Sequence, residues 1–397
     1  MDPIPHPRAY RGPALLSYGF RPFFLLGAIY AGLAGYMSLP MFYGELELWT
    51  AFTPLDWHVH EMLYGYLPAV MTGFLLTAIP NWTGRLPIRG MPLLTLVAVW
   101  VAGRISVTFS TEIGWLSAAI IDVSFLTLVI AAAAREIIAG ENWRNLRIIV
   151  LIALFIAGNI AFHVEAHVHG SAEYGVRIGM AAMVLLILVI GGRIIPSFTH
   201  NWLARENPGR LPVPFARFDV AVIGASAATL ALWTAQPFGR PTAAALAAAT
   251  ALNIVRLVRW AGDRTWRDRL VLILHVGYTF VPLGFLLASA AALGIVAASA
   301  GIHAWTVGAA GTMTLAVMTR ASLGHTGNAL TASTVTQAIY AAIVIAALAR
   351  IYAALEPAWS GLLLYVAAFA WTAAYLGFAG SFAPLLVATS RETKSAP

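Results

Sequence analysis

Apolar residues run along this chain in stretches of membrane-spanning length, broken by short polar or Gly/Pro-containing turns. The stretches fall at about 20–43, 57–80, 88–108, 113–139, 146–169, 172–198, 216–236, 241–260, 268–293, 298–320, 331–355 and 359–387. A helix needs about 20 largely apolar residues to cross the hydrocarbon core of a bilayer. The pattern therefore predicts an all-α, polytopic membrane protein of about twelve transmembrane helices. The 241–260 stretch is the weakest, being Ala-rich and carrying Asn253 and Arg256. The longest polar connection, Asn201 to Phe215, is a short loop, so residues 1–397 are expected to form a single transmembrane domain with tails at 1–19 and 388–397. No internal repeat stands out.

Composition agrees with this pattern. The 397 residues are 60% hydrophobic and 10% charged, with a mean hydropathy of +0.78; a soluble domain carries about 25% charged residues. The first twenty residues hold Pro3, Pro5, Pro7, Arg8, Arg11 and Pro13 and no apolar core, so no cleavable leader is expected. The formal charge of +7 does not call for nucleic acid, because its distribution has a better explanation. With twelve spans, every Lys and Arg except Arg104, Arg177, Arg240 and Arg350 falls on the side of the two termini. Cytoplasmic loops are enriched in Lys and Arg. Both termini are thus expected in the cytoplasm of a bacterial inner membrane.

There is no cysteine, which excludes disulfides, iron–sulfur clusters and thiolate-ligated haem or copper. Imidazole suits haem iron and copper, which turns attention to the ten histidines. His58, His60, His163, His167, His169 and His303 gather towards the outer, periplasmic side on three predicted helices. His275 lies within the ninth span, His200 and His325 on the cytoplasmic rim, and His6 in the tail.

The second span opens the richest stretch. Thr53 and Pro54 suit a helix cap and first position, with Asp56 three residues after the cap. Trp57-His58-Val59-His60-Glu61-Met62 follows, and such polar residues in an apolar helix are functional by default. His58 and His60 are two apart, so on a regular helix they point roughly 200° away from each other and serve different partners. Glu61 is a candidate proton relay, or it fixes an imidazole. His163 and His167, four apart, share a helix face and could share a metal, with Glu165 and His169 nearby. His275 and Tyr278 share a face of the ninth span. His303 sits among small residues that would admit a planar cofactor. Asp122 is a candidate proton carrier or a partner for a neighbouring helix, and Asn159 is the other polar residue at depth. Arg104 and Arg177 could pair with haem propionates or snorkel to the interface. His325, about 25 Å along a helix from His303, is expected to be structural.

Several of these stretches together resemble the NnrS family. They are Trp57 to Met62, Gly73 to Gly84, Gly191-Gly192-Arg193-Ile194-Ile195-Pro196 with Phe198-Thr199, Leu274-His275 with Tyr278, and His303 to Gly327, including Val317 to Gly327. The resemblance implies an inner-membrane protein containing haem, taken as b-type, and copper, associated with nitric oxide metabolism and resistance to nitrosative stress. Its motifs carry over to His58, His60, His275, His303 and His325. His200 departs from the pattern, which argues against a ligand role there. The resemblance leads to reduction of two nitric oxide molecules to N2O, with His60 and His303 on haem, His163 and His167 on copper, and His58 and His275 as alternates. Glu61, His58 or Tyr278 would deliver protons, and a quinol or an outer-side cytochrome would donate electrons. A non-catalytic haem protein that binds or senses nitric oxide is one rival reading, and a twelve-span transporter is another.

Overall fold

The computed structural model describes residues 10–388. Helices make up its regular structure, with no strand among the described residues. Twelve long helices can be followed: α1 Phe20–Phe42, α2 Pro54–Thr83, α3 Met91–Thr108, α4 Trp115–Ala139, α5 Leu146–His169, α6 Tyr174–Glu206, α7 Arg217–Ala235, α8 Arg240–Val258, α9 Arg269–Ala292, α10 over 298–325, α11 Thr334–Leu355 and α12 Ser360–Val387. All but α10 are both long and apolar enough to cross a membrane. α10 has the length but is rich in Gly, Ala and Thr, which lowers its hydropathy and suits an interior position.

The helix starts follow local chemistry. Thr53 Oγ1 accepts the Asp56 backbone N–H at 3.1 Å with Pro54 in the first turn, and Asp268 accepts from the Leu270 and Val271 amides to open α9. Glu165 performs the same task from a distance, accepting the amides of Glu173, Tyr174 and Gly175 where α6 begins. These carboxylates satisfy N–H groups that a helix leaves unpaired in its first turn.

Three helices stand at the centre. α2, α6 and α10 touch one another, and the others fill three arcs between them: α3 to α5 from α2 to α6, α7 to α9 from α6 to α10, and α11, α12 and α1 from α10 back to α2. Each central helix contains a wide, π-type turn, at Glu61–Tyr66, Ile187–Gly191 and Ala304–Gly311. Such turns put backbone carbonyls out of register with the regular ladder. Here each arc uses one of them. Trp100 of α3 donates to Gly65 O at 2.9 Å, Arg256 of α8 to Leu188 O at 3.0 Å, and Tyr375 of α12 to Gly311 O at 3.2 Å. In α2 the turn precedes Pro68, whose missing N–H could not serve the Tyr64 carbonyl in a regular helix.

Small residues let α9 and α10 approach closely: a Cβ added at Gly301 would meet the Ala288 backbone nitrogen at 2.8 Å. The start of α1 and the end of α12 share one end of the bundle, where Arg21 Nη1 donates to Leu386 O at 2.9 Å and Ala388 O at 2.8 Å. That is the terminal end; the opposite one is the far end. Of the two expected tails, residues 1–9, with His6, and 389–397 lie outside the described residues.

Candidate functional site

Two sets of polar side chains occupy the far end, one buried and one half-buried. The first lies between α2, α3, α4 and α5. Arg104 donates to both oxygens of Glu61 at 2.6 Å and bonds to Asp122. His60 Nδ1 meets Glu61 Oε1 at 2.8 Å, and its Nε2 meets Asn159 Oδ1 at 3.0 Å and Asp122 Oδ2 at 3.3 Å. Asn159 Nδ2 and His163 Nε2 donate to Asp122 Oδ2 at 2.7 and 3.1 Å. Tyr30 of α1 donates its hydroxyl to the other oxygen of Glu61. Both nitrogens of His60 face acceptors, which both accept only if the ring carries both protons. Two carboxylates then face one guanidinium and one imidazolium, and the set is neutral. Phe52 and Phe162 lie against the two imidazoles, with ring centroids 5.1–5.3 Å away. Water is excluded and the pairing correspondingly strong.

Backbone shape makes this possible. A Cβ at Gly65 would stand 2.5 Å from Arg104 Nη1, so only glycine allows the guanidinium to lie against the wide turn of α2. One ligand atom from each of His60, Asp122 and His163 lies within 4.8 Å of the others, a spacing that can hold a metal ion.

The second set lies between α10, α11, α1 and α2. Ser38 donates its hydroxyl proton to Ala34 O at 2.6 Å, so its oxygen accepts from His58 Nδ1 at 2.8 Å. His303 Nδ1 donates to Ser299 O at 2.6 Å. Both rings thus carry their proton on Nδ1 and keep a lone pair on Nε2, which has no partner among the described residues. A metal-binding histidine is oriented in this way, by the hydrogen bond its other nitrogen makes. Arg350 of α11 acts electrostatically on both imidazoles, and His58 on His303. Among the described residues Arg350 has neither an ion-pair partner nor a hydrogen-bond acceptor. All three side chains are half-buried.

The remaining expected residues separate from these sets. His167 is exposed and stacks on Trp115 at 4.1 Å, so the expected pairing of His163 with His167 is corrected: a shared helix face did not turn them to a common point. His60 and His303 also part, into different arcs, because the central helices send their two sides to different neighbours. Arg104 is neutralised by Glu61 and Asp122, leaving no charge for a propionate. Arg177 is held by Glu173 Oε2 at 3.3 Å and by the Thr234 carbonyl at 3.0 Å. Tyr278 of α9 faces α8 towards the terminal end, donating to Asn253 Oδ1 and accepting from Arg256 Nη1; Arg256 is paired with Asp219 of α7 at 3.0 Å. That buried network keeps Tyr278 from the far-end histidines. His275 Nε2 donates to Thr199, and its Nδ1 is buried without a partner. His325 stacks on Tyr18 and packs on Phe20, a structural position, and His200 is exposed.

Tyr30, Ser38, Ser299 and Arg350 complete these sites, and none stood out as a site residue beforehand. For Arg350 a signal existed: it is one of four cations placed on the outer side.

The sequence pattern of the NnrS protein family matches residues 14–390, and the chain belongs to that family. No curated protein matches it. Family membership makes this a metal-binding membrane protein of nitric oxide-related metabolism.

Proposed function

We propose that the protein holds haem and copper near the far end of the bundle, on the periplasmic side of a bacterial inner membrane, and reduces nitric oxide: 2 NO + 2 e⁻ + 2 H⁺ → N2O + H2O. The observation that carries this reading is the pair His58 and His303, each with Nδ1 anchored and Nε2 open, beside the unpaired Arg350. Two imidazole nitrogens and a guanidinium fit haem, a metal ligated by nitrogen whose edge bears two carboxylates. His60, His163 and Asp122 would hold copper once the two imidazoles release the Nε2 protons that face Asp122, as ligation by imidazole requires. When bound, these metals supply the redox chemistry and bring two nitric oxide nitrogens together. The chain's own residues do the rest. Ser38 and Ser299 fix the tautomers of the two imidazoles. Arg350 offsets propionate charge. Nitric oxide is apolar and enters from lipid, so no charged vestibule is needed. Protons are handled by the Glu61 cluster, which Tyr30 of α1 links to the arc of His58.

A second reading is favoured by the same pair. If both open nitrogens serve one iron, nitric oxide must replace one of them, as suits a binder or sensor. The deciding experiment is anaerobic. Purified protein is given nitric oxide and a reductant, and nitric oxide loss and N2O are followed together with the haem spectrum. Sustained N2O over many turnovers supports the reductase. An unchanging nitric oxide-bound spectrum without N2O selects the binder, and absence of haem from protein made in haem-sufficient cells rejects both.

A further inference from the structure

A cavity of about 210 Å³ opens at the far end between the start of α6 and the ends of α7 and α9, with the start of α10 as its floor. Its walls are Val176, Trp233, Phe238, Ile302 and Trp305, with small alanines between them. Trp233 and Trp305 meet edge to face, 5.3 Å between centroids. Phe238, 62% exposed, stands at the mouth, where the surrounding surface is apolar. Two polar side chains alone line it, Glu173 and Arg177, paired with each other at 3.3 Å.

We infer that this cavity binds a membrane quinol and is where electrons enter the protein. Size comes first. An apolar cavity of about 150 Å³ takes a benzene ring, so this one takes a substituted six-membered ring, far more than a diatomic gas needs. Chemistry comes second. A quinol head group offers a flat face to the indoles, an O–H donor to the Glu173 carboxylate and an oxygen lone pair to the Arg177 guanidinium, while its tail leaves past Phe238 into lipid. An acyl chain would use neither polar group. Position comes third: Ile302 and Trp305 flank His303 on α10, so the ring and that imidazole share one stretch of helix. The quinol loses two electrons and two protons and becomes quinone. With haem held by His303, the electrons would pass to it and be consumed by two nitric oxide molecules. Glu173, 71% exposed in its side chain, takes each proton in turn and releases it to water.

The inference rests on the proposed haem reading for its redox half, and binding can be read without haem. Photolabelling by an azidoquinone, mapped on the full-length protein, is expected at residues of the cavity wall. It is expected to disappear in Val176→Trp and in Ala291→Phe, two independent ways of filling the space. In the haem-loaded protein, decylubiquinol is expected to reduce the haem. Filling the cavity should raise the half-saturating decylubiquinol concentration about tenfold or more, with reduction by dithionite unchanged. Glu173→Gln should keep labelling and haem but slow reduction by decylubiquinol, with reduction by dithionite unchanged. Labelling elsewhere, or labelling that both filled variants retain, overturns the inference. So does labelling displaced by a brominated phosphatidylcholine and not by decylubiquinone, which would assign the cavity to an acyl chain. Haem that dithionite reduces and decylubiquinol does not overturns the redox half; absence of haem with labelling intact indicts the haem reading instead.

Discussion

The two far-end sites each set a pair of histidines beside an arginine and reach opposite states. Around His60 the charged groups answer one another: Glu61 and Asp122 by Arg104, both imidazole nitrogens by acceptors, and His163 Nε2 by Asp122, with only Arg104 Nε of this set buried and unmet among the described residues. Around His58 and His303 each ring is anchored on one side only, and among the described residues Arg350 has no acid to meet. The first arrangement is closed and neutral; the second has two lone pairs and a positive charge in reserve. The difference shows that burial and histidine count do not by themselves locate a cofactor. What marks the haem site is the hydrogen-bonding capacity left over after the protein has satisfied itself, whereas copper at the closed set would have to displace protons.

The largest effect expected from this contrast is on haem content. His303→Ala and His58→Ala should each abolish most of the reduced-minus-oxidised haem signal, whereas His60→Ala should leave it while lowering copper measured by elemental analysis. Loss of haem in His60→Ala with retention in His303→Ala would reverse the assignment of the two sites.

Next comes stability. Removing one partner of a buried ion cluster costs about 3–5 kcal/mol, because the others are left uncompensated. Arg104→Ala should therefore lower the midpoint of thermal unfolding in detergent far more than Arg350→Ala, whose charge has no partner to strand. Arg350→Ala should instead shift the haem midpoint potential downwards in a redox titration, since a nearby positive charge favours the reduced form.

A smaller effect is expected at the anchor. Ser38→Ala removes the acceptor for His58 Nδ1, and loss of such a supporting bond lowers metal-site affinity about 10–100-fold; haem retention during dilution would report it. The smallest belongs to the third polar set, near the terminal end. Tyr278→Phe should cost about 1 kcal/mol, the net value of an ordinary hydrogen bond, and leave haem and copper content untouched. A loss of turnover with intact metals would return Tyr278 to the chemistry.

Much of the fold was legible because a membrane span is a local property. The apolar runs predicted α1 to α12 within five residues at every end but one, α6 running on to Glu206, eight residues past the expected end, and the opposite directions of His58 and His60 followed from helical spacing alone. The wide turn at Glu61–Tyr66 did not disturb that spacing, since both histidines precede it. Legibility ended where a residue's meaning depends on a partner far along the chain. Arg104 looked like a free cation because Glu61 lies 43 residues away and Asp122 lies 18 away. His167 looked like a partner of His163 because spacing reports a shared face and says nothing of Trp115 stacked upon it. Tyr30 and Ser38 are an unremarkable aromatic and hydroxyl in an apolar span until α1 is laid against α2.

The sequence by itself determined that this is an all-helical membrane protein, that its metals must be held without thiolate, and which helices carry the histidines. It could do so because hydrophobic length and residue inventory need no neighbours to be read. Only the tertiary structure decided that α2 sends His60 into a closed charge cluster and His58 towards an open one, and that Arg350 stands beside the latter unpaired. Those outcomes depend on which side of a central helix meets which arc, a matter of packing among segments distant in the chain.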